Sequence, residues 1–587
     1  MIRNYVIFIF LSLSTALFSQ DFEWISTAGG SKSDKGTTVA VDGDGNTFIT
    51  GYYNEQAQFG TLNTGFSFDS SKEVFVAKMD PNGVYLWVVN GLNYFDDRGL
   101  GLCLDPMGNV YVTGTCWGGL QFGPLNVYNS TSFTDQIFVT KIDTGGNVIW
   151  MKNAGVDEFG TGTAWWDPWQ TIYCDDHGFD LASDSQGNIF VTGYLSTVDL
   201  APVTANFDAI QIPLNYGDSV AFIAKLSNDG NWEWVETFEG IIDHRDNGIG
   251  VDDEDNVYVT GGFKGTQDFE GEILVSDGES DVYVIKYDNA GIFQWVTQAG
   301  STRKDRGNAI VDGHDGFMYV AGEFRDHCYF GTQLLNNYGG PGGRDIFVAK
   351  LSKDGAWGWA SKAGSKKGSD RANSIAANSS GNIFVTGQFS SDAKFGVNEI
   401  DSNGDSVQVF IAGIDTLGVW RWVKQGGSSQ FDRGNGITVD DDCNLYVVGY
   451  FEDTITFDAL QQTPNQGKDI FTTKLSDVCF GYNEIPPGEP VPEPEFCVLK
   501  PINIFTPNND GSNDLLNFTT ECNIPIEVYI MNRWGELVFK SFDSSIDWDG
   551  RTTNGTPVVE GTYFYSVKAL FENEPVQEIH GWITVIR

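Results

Sequence analysis

A charged triplet, Asp-Arg-Gly or a variant of it, recurs along the chain and could gather its members around one ligand. The copies begin at Asp34, Asp97, Asp176, His244, Asp305, Asp370 and Asp432. A carboxylate beside a guanidinium could bind a polar ligand, but a feature present in every repeat is more typical of a structural element. Asp closes turns, Arg pairs with neighbouring groups and Gly allows close approach of the backbone. We therefore expect the triplets to stabilise the repeats.

One interval of the repeat is much longer than the others and is rich in aromatic residues. A Trp precedes each triplet by 10 or 11 residues, except that 26 residues separate Trp150 from Asp176. The side chains of this insertion that could bind a ligand are Trp165, Trp166, Trp169 and Tyr173. Flat aromatic faces stack on sugars or peptides when a loop exposes them. The alternative is that they form a small core that holds a long loop in place.

Other patterns that carry chemistry are missing from the sequence. The five histidines show no metal-ligand spacing, and there is no Gly-x-Ser-x-Gly elbow. The 79 acidic residues are too many to single out a pair for glycoside cleavage. We therefore assign no catalytic residue and expect no cofactor, with calcium as the one ion to consider. The turn from Asp42 to Asn46 resembles a calcium loop but lacks a later bidentate Glu, so we interpret it as a hairpin turn.

The composition indicates an exported protein of several domains. The chain has 587 residues and a net charge of −44, which argues against a nucleic-acid partner because phosphate binding needs a basic face. Arg3, an apolar run from Tyr5 to Leu13 and small residues to Ser19 predict a secretory signal peptide over residues 1–19. No later apolar stretch is long enough to cross a membrane, so no transmembrane anchor is expected. Outside the cell, the eight cysteines could pair.

The triplets belong to a repeat of four β segments that occurs seven times. Segment A follows the triplet, B ends in Gly, C ends in Lys in six of the seven copies, and D contains the Trp. The closing glycines of segment B are Gly51, Gly114, Gly193, Gly261, Gly322, Gly387 and Gly449. Their spacing of 61 to 79 residues, without helical periodicity, predicts an all-β fold with a closed seven-bladed β-propeller over residues 20–478.

The two ends of the repeat region are incomplete. The chain begins at a D segment, around Trp24, and the repeats end at a C segment, around Lys474. Either segment alone would leave an unpaired strand edge. We therefore expect the strand of Trp24 to pair with Ile470–Lys474, complete the last blade and close the ring. Over residues 22–476 the repeats resemble the bacterial seven-bladed propeller repeats called SBBP repeats.

The tail consists of a linker and a small domain. Residues 479–496 are rich in Pro and Glu, which predicts a stiff, extended linker. Residues 497–587 contain about seven short β segments, which predicts a small β-sandwich. Its segments Phe505–Asp514, Tyr529–Val538 and Gly581–Arg587 resemble the gliding-motility-associated C-terminal domain, the type B sorting domain of the Bacteroidota type IX secretion system. This resemblance implies export through the periplasm to the cell surface or the medium, with the type IX secretion machinery as a partner.

Two disulfides and one further calcium candidate follow from the tail and the last blade. Cys497 and Cys522 are expected to pair at the start of the sandwich. Cys443 and Cys479 are expected to pair because the A–B turn and the end of segment C lie on one face of a blade. The side chains of Asn508, Asp510 and Asp514 could hold calcium, although a turn closed by its own hydrogen bonds is favoured.

Binding is the function that the sequence favours. We expect a cell-surface or secreted adhesion protein whose propeller binds a glycan or a protein. The alternative is a secreted carbohydrate-active enzyme, a glycosidase or lyase, with its site in the propeller channel, because propellers host both functions. Alternating strand directions put the long B–C and D–A connections on one face, called here the variable face. We expect Trp165, Trp166 and Trp169 to line a ligand site there.

Overall fold

The computed structural model describes most of the chain as β-structure. The described residues are 20–67, 71–93, 95–128, 135–156, 176–196, 203–215, 219–239, 247–340, 342–402, 406–465, 467–480, 504–505, 507, 515–519, 526–532, 537–543, 545–553, 555–569 and 577–585. All regular elements among them are strands. The chain divides into two compact regions, an N-terminal region Met1–Phe480 and a C-terminal region Gly481–Arg587. No helix long and apolar enough to span a membrane occurs among the described residues.

The N-terminal region contains seven antiparallel sets of four strands, called here units 1 to 7, each with strands in the order A, B, C, D; in four of the units a further two-stranded hairpin extends the sheet beyond strand D. The A strands are Lys35–Val41, Arg98–Leu104, His177–Ser183, Gly248–Val251, Arg306–Asp312, Arg371–Ala377 and Arg433–Val439. The B strands are Thr47–Asn54, Val110–Trp117, Ile189–Ser196, Val257–Phe263, Phe317–Arg325, Ile383–Ser390 and Leu445–Phe451. The C strands are Lys72–Met79, Asp135–Ile142, Ser219–Leu226, Asp281–Tyr287, Arg344–Ser352, Val407–Ile414 and Asp469–Ser476. The D strands of units 1 to 6 are Tyr85–Leu92, Val148–Val156, Trp232–Glu239, Phe293–Ala299, Trp357–Ser365 and Trp420–Gly426.

Unit 7 takes its D strand from the beginning of the chain. Asp21–Gly29 pairs antiparallel with Asp469–Ser476, and Trp24 lies opposite Lys474. We expected this pairing because the repeat region begins at a D segment and ends at a C segment. Val448 and Ile470 of unit 7 share one buried cluster with residues of unit 1 such as Ile49.

The B and C strands carry the core because neighbouring units cover both of their faces. Ile189–Ser196 and Val257–Phe263 are buried at every position. Such central strands are rich in Val, Ile and Phe, the residues that pack well on a pleated surface. The D strands are more exposed, as in Phe293–Ala299.

One Trp in each D strand links its unit to the next. The indole N–H groups donate to backbone carbonyls at distances of 2.9 to 3.2 Å. The pairs are Trp24 with Pro81, Trp87 with Thr144, Trp150 with Asn228, Trp234 with Asn289, Trp295 with Lys353, Trp359 with Thr416 and Trp422 with Val478. When the acceptor belongs to one of units 1 to 6, it lies in the C–D turn of that unit, where a Gly leaves space for the indole ring. At Gly230, with φ of +82°, an added Cβ would lie 2.9 Å from the Trp150 ring. The Trp residues therefore join units by a directed hydrogen bond.

Each B–C connection contains a short hairpin that was not predicted from the sequence. The hairpin strands are Gln58–Phe59 with Leu62–Asn63, Gly119–Phe122 with Leu125–Tyr128, Val203–Phe207 with Ile210–Leu214, Thr266–Phe269 with Glu272–Val275, His327–Phe330 with Gln333–Asn336, Ala393–Phe395 with Asn398–Ile400, and Ile455–Phe457 with Leu460–Gln462. Every first strand ends in a Phe that is at most 2% exposed. Phe122 lies opposite Gly91 in the D strand of the preceding unit, and Phe395 lies opposite Ala363 in the same way. The repeated Phe, followed by a Gly, Asp or Glu with positive φ, was the signal for these hairpins.

A disulfide fastens the end of the last unit. Cys443 in the A–B turn is bonded to Cys479, with a Cα–Cα distance of 5.4 Å. This is the pairing expected from the strand order. The Phe480 N–H donates to Asn382 Oδ1 at 3.1 Å. These contacts extend the N-terminal region to Phe480, slightly beyond the boundary expected at residue 478.

The C-terminal region has seven described strands in two sheets. A five-stranded sheet has the order Ile504–Phe505, Gln577–Val585, Gly561–Ala569, Ile526–Asn532 and Leu537–Asp543. Leu516–Thr519 and Ser545–Trp548 form an antiparallel pair. Side chains of both sheets share one core, in which Trp548 is fully buried beside residues such as Val528 and Ile583. The number of strands agrees with the β segments counted in the sequence.

Candidate functional site

Several residues singled out in the sequence lie outside the described residues. They are Trp165, Trp166, Trp169, Tyr173, Asn508, Asp510, Asp514, Cys497 and Cys522. Their roles in ligand binding, calcium binding and a second disulfide stay predictions.

The Asp of each described triplet is a buried acceptor for backbone N–H groups. Asp176, which is fully buried, accepts from the Val156 N–H at 2.7 Å and from the Ser196 N–H at 3.1 Å. The corresponding bond to the end of strand B, twenty residues further on, is made by all six described triplet Asp residues. This Asp thus ties the end of one D strand to the next unit, which agrees with a structural role.

Burial raises the pKa of these carboxyl groups. It raises the pKa of Asp305 to about 8, helped by the charge of Asp281, and the pKa of Asp34 to about 7. The pKa of Asp176 is likewise raised to about 7, mainly by burial. Groups with such pKa values often serve as catalytic acids. Here each of them accepts at least one hydrogen bond from a backbone N–H, so they are placed to hold strands rather than to meet a substrate.

The second residue of the triplet is a cation or His in every unit. In the six units where this residue is described, it lies opposite a residue of strand B that varies. Lys35 pairs with Tyr52, Arg306 with Glu323 and Arg433 with Tyr450. Three of these pairs belong to a set of four residues. Each set contains the triplet cation, the strand B residue opposite it, a cation from the start of strand C and the triplet cation of the next unit. The three equivalent sets are Arg306, Glu323, Arg344 and Arg371; Lys35, Tyr52, Lys72 and Arg98; and Arg433, Tyr450, Lys468 and Lys35.

In the set formed by units 5 and 6, the strand B residue carries a carboxylate. This set is called here the arginine–glutamate cluster. Glu323, which is 1% exposed, accepts from Arg344 Nη1 at 3.0 Å and from Arg371 Nη2 at 3.2 Å. Burial alone would raise the pKa of Glu323, but the charges of Arg371, Arg344 and Arg306 outweigh it and hold the pKa below its usual value. The cluster is therefore an internal ion network in which one carboxylate pairs with the arginines of two units.

In units 7, 1 and 2 the central residues are tyrosines, and the two sets share Lys35. They form the cation–tyrosine cluster, whose members are Lys35, Tyr52, Lys72, Arg98, Arg433, Tyr450 and Lys468. Lys35 Nζ lies 4.7 Å from the ring centre of Tyr450 and 5.8 Å from that of Tyr52. Lys72 Nζ and Arg98 Cζ lie 6.0 and 5.9 Å from the Tyr52 ring. Arg433 Cζ and Lys468 Nζ lie 6.0 and 5.1 Å from the Tyr450 ring.

The cation–tyrosine cluster places five cations close together in a chain of net charge −44. Asp96 forms ion pairs with Lys72 and Arg98, and Glu452 lies 3.6 Å from Lys468. Among the described residues, no carboxylate is within ion-pair distance of Lys35. Burial and the positive charges of Lys468, Arg433, Arg98 and Lys72 lower the pKa of Lys35 to about 8. The site was not predicted from the sequence because all triplet cations were interpreted as structural; the signal was the change from Glu to Tyr after the closing glycine of strand B.

A polar cavity of about 710 Å³ lies between units 6 and 7. Its lining includes Ser402, Gln408, Gln425 and Ser428. Among the described lining residues Asp458 is the one acidic residue, and its carboxylate is 3.1 Å from Lys424 Nζ. A pair of convergent carboxylates, as glycoside cleavage needs, is not found among the described lining residues.

Three potential metal ligands meet where the A–B turns of units 4 and 5 adjoin. Ligand atoms of Asp253, Asp312 and His314 lie within 4.8 Å of one another. The ammonium group of Lys353 is 3.7 Å from Asp312 and already compensates its charge. The His314 ring is 3.0 Å from Asp253. This cluster is explained by its internal ion pairs.

The C-terminal region matches a known family. Residues 499–585 match the CHU_C type IX secretion signal domain. The chain therefore carries a signal for type IX secretion, which implies interaction with that machinery and export to the cell surface or the extracellular space.

Other similarities are more distant. A 330-residue stretch is 24% identical to an uncharacterized WD repeat-containing protein, L264, of Acanthamoeba polyphaga mimivirus, over 48% of this chain and 24% of that protein. The chain thus spans about a quarter of the length of this relative.

Solved structures with some likeness have low scores. Quinohemoprotein alcohol dehydrogenase from Comamonas testosteroni has 10% identity and a TM-score of 0.35, with 79% of this chain and 78% of that chain covered. NanB sialidase from Streptococcus pneumoniae has 9% identity and a TM-score of 0.34, with coverages of 77% and 94%. PorZ from Porphyromonas gingivalis, described as a surface component of the type IX secretion system, has 12% identity and a TM-score of 0.19, with coverages of 94% and 81%. Scores at this level support no argument about function.

The raised pKa values predict that the chain loses stability as the pH rises. The folded chain keeps protons on groups such as Asp305, Asp34 and Asp176 that the unfolded chain releases above about pH 4. Their contribution is therefore complete below that pH and is lost progressively between about pH 4 and 8, the range between the unfolded and folded pKa values. We expect the melting temperature of the mature chain to fall between pH 5 and pH 9.

Asp305→Asn isolates one of these groups, because an amide mimics a neutral carboxyl group. The variant should lose less stability between pH 6 and 9 than the wild type, by at most about 1.4 kcal/mol per pH unit. Asp44→Asn, in an exposed turn, removes the same charge and is the control. Parallel stability curves for the Asp305 variant and the wild type in chemical denaturation would contradict the assignment.

Proposed function

We propose that this chain is an exported binding protein of the cell surface or medium, with a propeller that binds a glycan or protein and a C-terminal domain that directs type IX secretion. The observation that carries the proposal is the cation–tyrosine cluster. Its like charges repel one another, and Lys35 has no carboxylate partner among the described residues. Such an arrangement costs stability unless a ligand compensates it.

The propeller itself belongs to this proposal. We infer that the seven units form a closed ring in which the N-terminal strand completes the last blade. Support comes from the pairing of Trp24 with Lys474 and from the indole bonds of Trp24 to Pro81 and of Trp422 to Val478. The first bond joins unit 7 to unit 1 and the second joins unit 6 to unit 7, as the other Trp residues join the remaining neighbouring units.

The site lies where the repeat is most variable. The cation–tyrosine cluster involves the starts of strands A and C and the ends of strands B, at the side where B–C and D–A connections meet. The aromatic insertion with Trp165, Trp166, Trp169 and Tyr173 is a D–A connection of the same side. We propose that this variable face receives the ligand.

A secreted glycosidase or lyase is supported less well. The carboxyl groups with raised pKa values, such as Asp176 and Asp305, accept hydrogen bonds from backbone N–H groups. The cavity between units 6 and 7 offers Asp458 alone among its described residues. A binding role requires neither a pair of carboxylates nor a cofactor.

Removal of residues 497–587 tests the secretion route. The chain that keeps its signal peptide, residues 1–19, should cross the inner membrane and remain in the periplasm as a folded protein. Cell fractionation and surface protease treatment would locate it, with the full chain as the control. Normal surface exposure of the shortened chain would contradict the role assigned to the C-terminal domain.

Binding is tested by glycan and protein arrays probed with the mature full chain. We expect specific binding, weakened by the triple substitution Trp165→Ala, Trp166→Ala and Trp169→Ala without a change in melting temperature. Alanine substitution of three exposed apolar residues on the opposite side, Met107 in an A–B turn and Val84 and Leu417 in C–D turns, is the matched control. Absence of any specific ligand, together with hydrolysis of an arrayed glycan, would favour the enzyme instead.

A further inference from the structure

We propose that the cation–tyrosine cluster binds the carboxylate groups of an acidic oligosaccharide. The inference rests on the proposed binding function and deepens it by naming the ligand class and the residues that recognise it. Three sets of residues that occupy equivalent positions in different units support it.

The arginine–glutamate cluster shows that these positions can hold a carboxylate that the chain itself supplies. There the chain places its own carboxylate, Glu323, among the cations of Arg306, Arg344 and Arg371. Strand register puts Tyr52 and Tyr450 where Glu323 stands, each opposite the triplet cation of its unit. In units 7, 1 and 2 the cations are therefore kept and the internal carboxylate is replaced by a phenol ring.

The tyrosines hold the cations in place but leave their charge. A ring face attracts a cation through its quadrupole and does not neutralise it. Each ring is approached by three cations at 4.7 to 6.0 Å, and Lys35 is shared by both rings. The two flanking carboxylates, Asp96 and Glu452, pair with Lys72, Arg98 and Lys468 and do not reach Lys35. An incoming carboxylate would take at Lys35 the role that Glu323 has in units 5 and 6.

A short acidic oligosaccharide fits this site better than a long polyanion. The net charge of −44 repels a nucleic acid more strongly at long range than it repels a ligand of a few charges. A chain of uronic acids carries one carboxylate on each ring and hydroxyl groups between them. The carboxylates can form ion pairs with Lys35, which belongs to both sets. The hydroxyl groups can donate hydrogen bonds to Asp96 and Glu452 at the edges of the cluster. Export by type IX secretion brings the site to the cell surface or the extracellular space.

The test measures binding of a galacturonic acid hexasaccharide to the mature full chain by calorimetry, with a neutral galactose hexasaccharide beside it. We expect the acidic probe to bind and the neutral probe to bind at least tenfold more weakly. Lys35→Met should weaken the acidic probe at least tenfold. Lys394→Met is the matched control, since Lys394 pairs with Glu399 on the surface of another unit, and it should leave binding unchanged.

Two further variants separate recognition from folding. Tyr52→Glu recreates the arrangement of Glu323 and should abolish binding of the acidic probe while the melting temperature stays the same or rises. Lys35→Arg should keep binding at pH 9, where the wild type has lost most of it, because a guanidinium stays charged while the pKa of Lys35 is about 8.

Equal binding of the acidic probe by the wild type and Lys35→Met would overturn the proposal. Binding of a glutamate-rich peptide in preference to the hexasaccharide would overturn the ligand class. If the arrays reveal a ligand whose binding ignores Lys35, this inference fails and the proposed binding function stands. If they reveal no ligand at all, the proposed function fails with it.

Discussion

The indole N–H that each D strand donates to the neighbouring unit is the interaction on which the arrangement of the repeats depends. Strands within a sheet are held by backbone hydrogen bonds, but sheets that pack face to face need a directed contact to fix their relative positions. The Trp ring lies under a turn glycine of the next unit and its N–H reaches a carbonyl 2.9 to 3.2 Å away. The buried triplet Asp adds a second link, because it joins the end of one D strand to the following unit.

Much of this architecture could be predicted from the sequence because it repeats. Seven copies of four alternating apolar segments indicated the strand order, and the incomplete ends indicated the pairing of Trp24 with Lys474. The B–C hairpins were missed because strands such as Gln58–Phe59 are too short to show a period. They are stabilised by packing against the D strand of another unit, which a local pattern does not report.

The candidate site was harder to predict because it is formed by residues far apart in the chain. Lys35 and Lys468 come from opposite ends of the repeat region and meet only because the first strand belongs to the last unit. The triplet cation has a structural partner in Glu323 at one position and faces a tyrosine instead of a carboxylate at Tyr52 and Tyr450. One repeated residue therefore serves structure in one unit and is available for recognition in another. These cases cannot be separated when all copies of the repeat are interpreted alike.

The central claim is that the units form a closed ring, since the cation–tyrosine cluster exists only if units 7 and 1 are neighbours. The most direct measurement compares the thermal unfolding of Trp24→Phe with that of Trp295→Phe, which removes the same bond between units 4 and 5. Each variant loses an indole N–H and some packing, for an expected cost of about 1–3 kcal/mol. The account predicts similar destabilisation at both positions. A stable Trp24→Phe variant beside a destabilised Trp295→Phe variant would show that the ring is open between the last and the first unit.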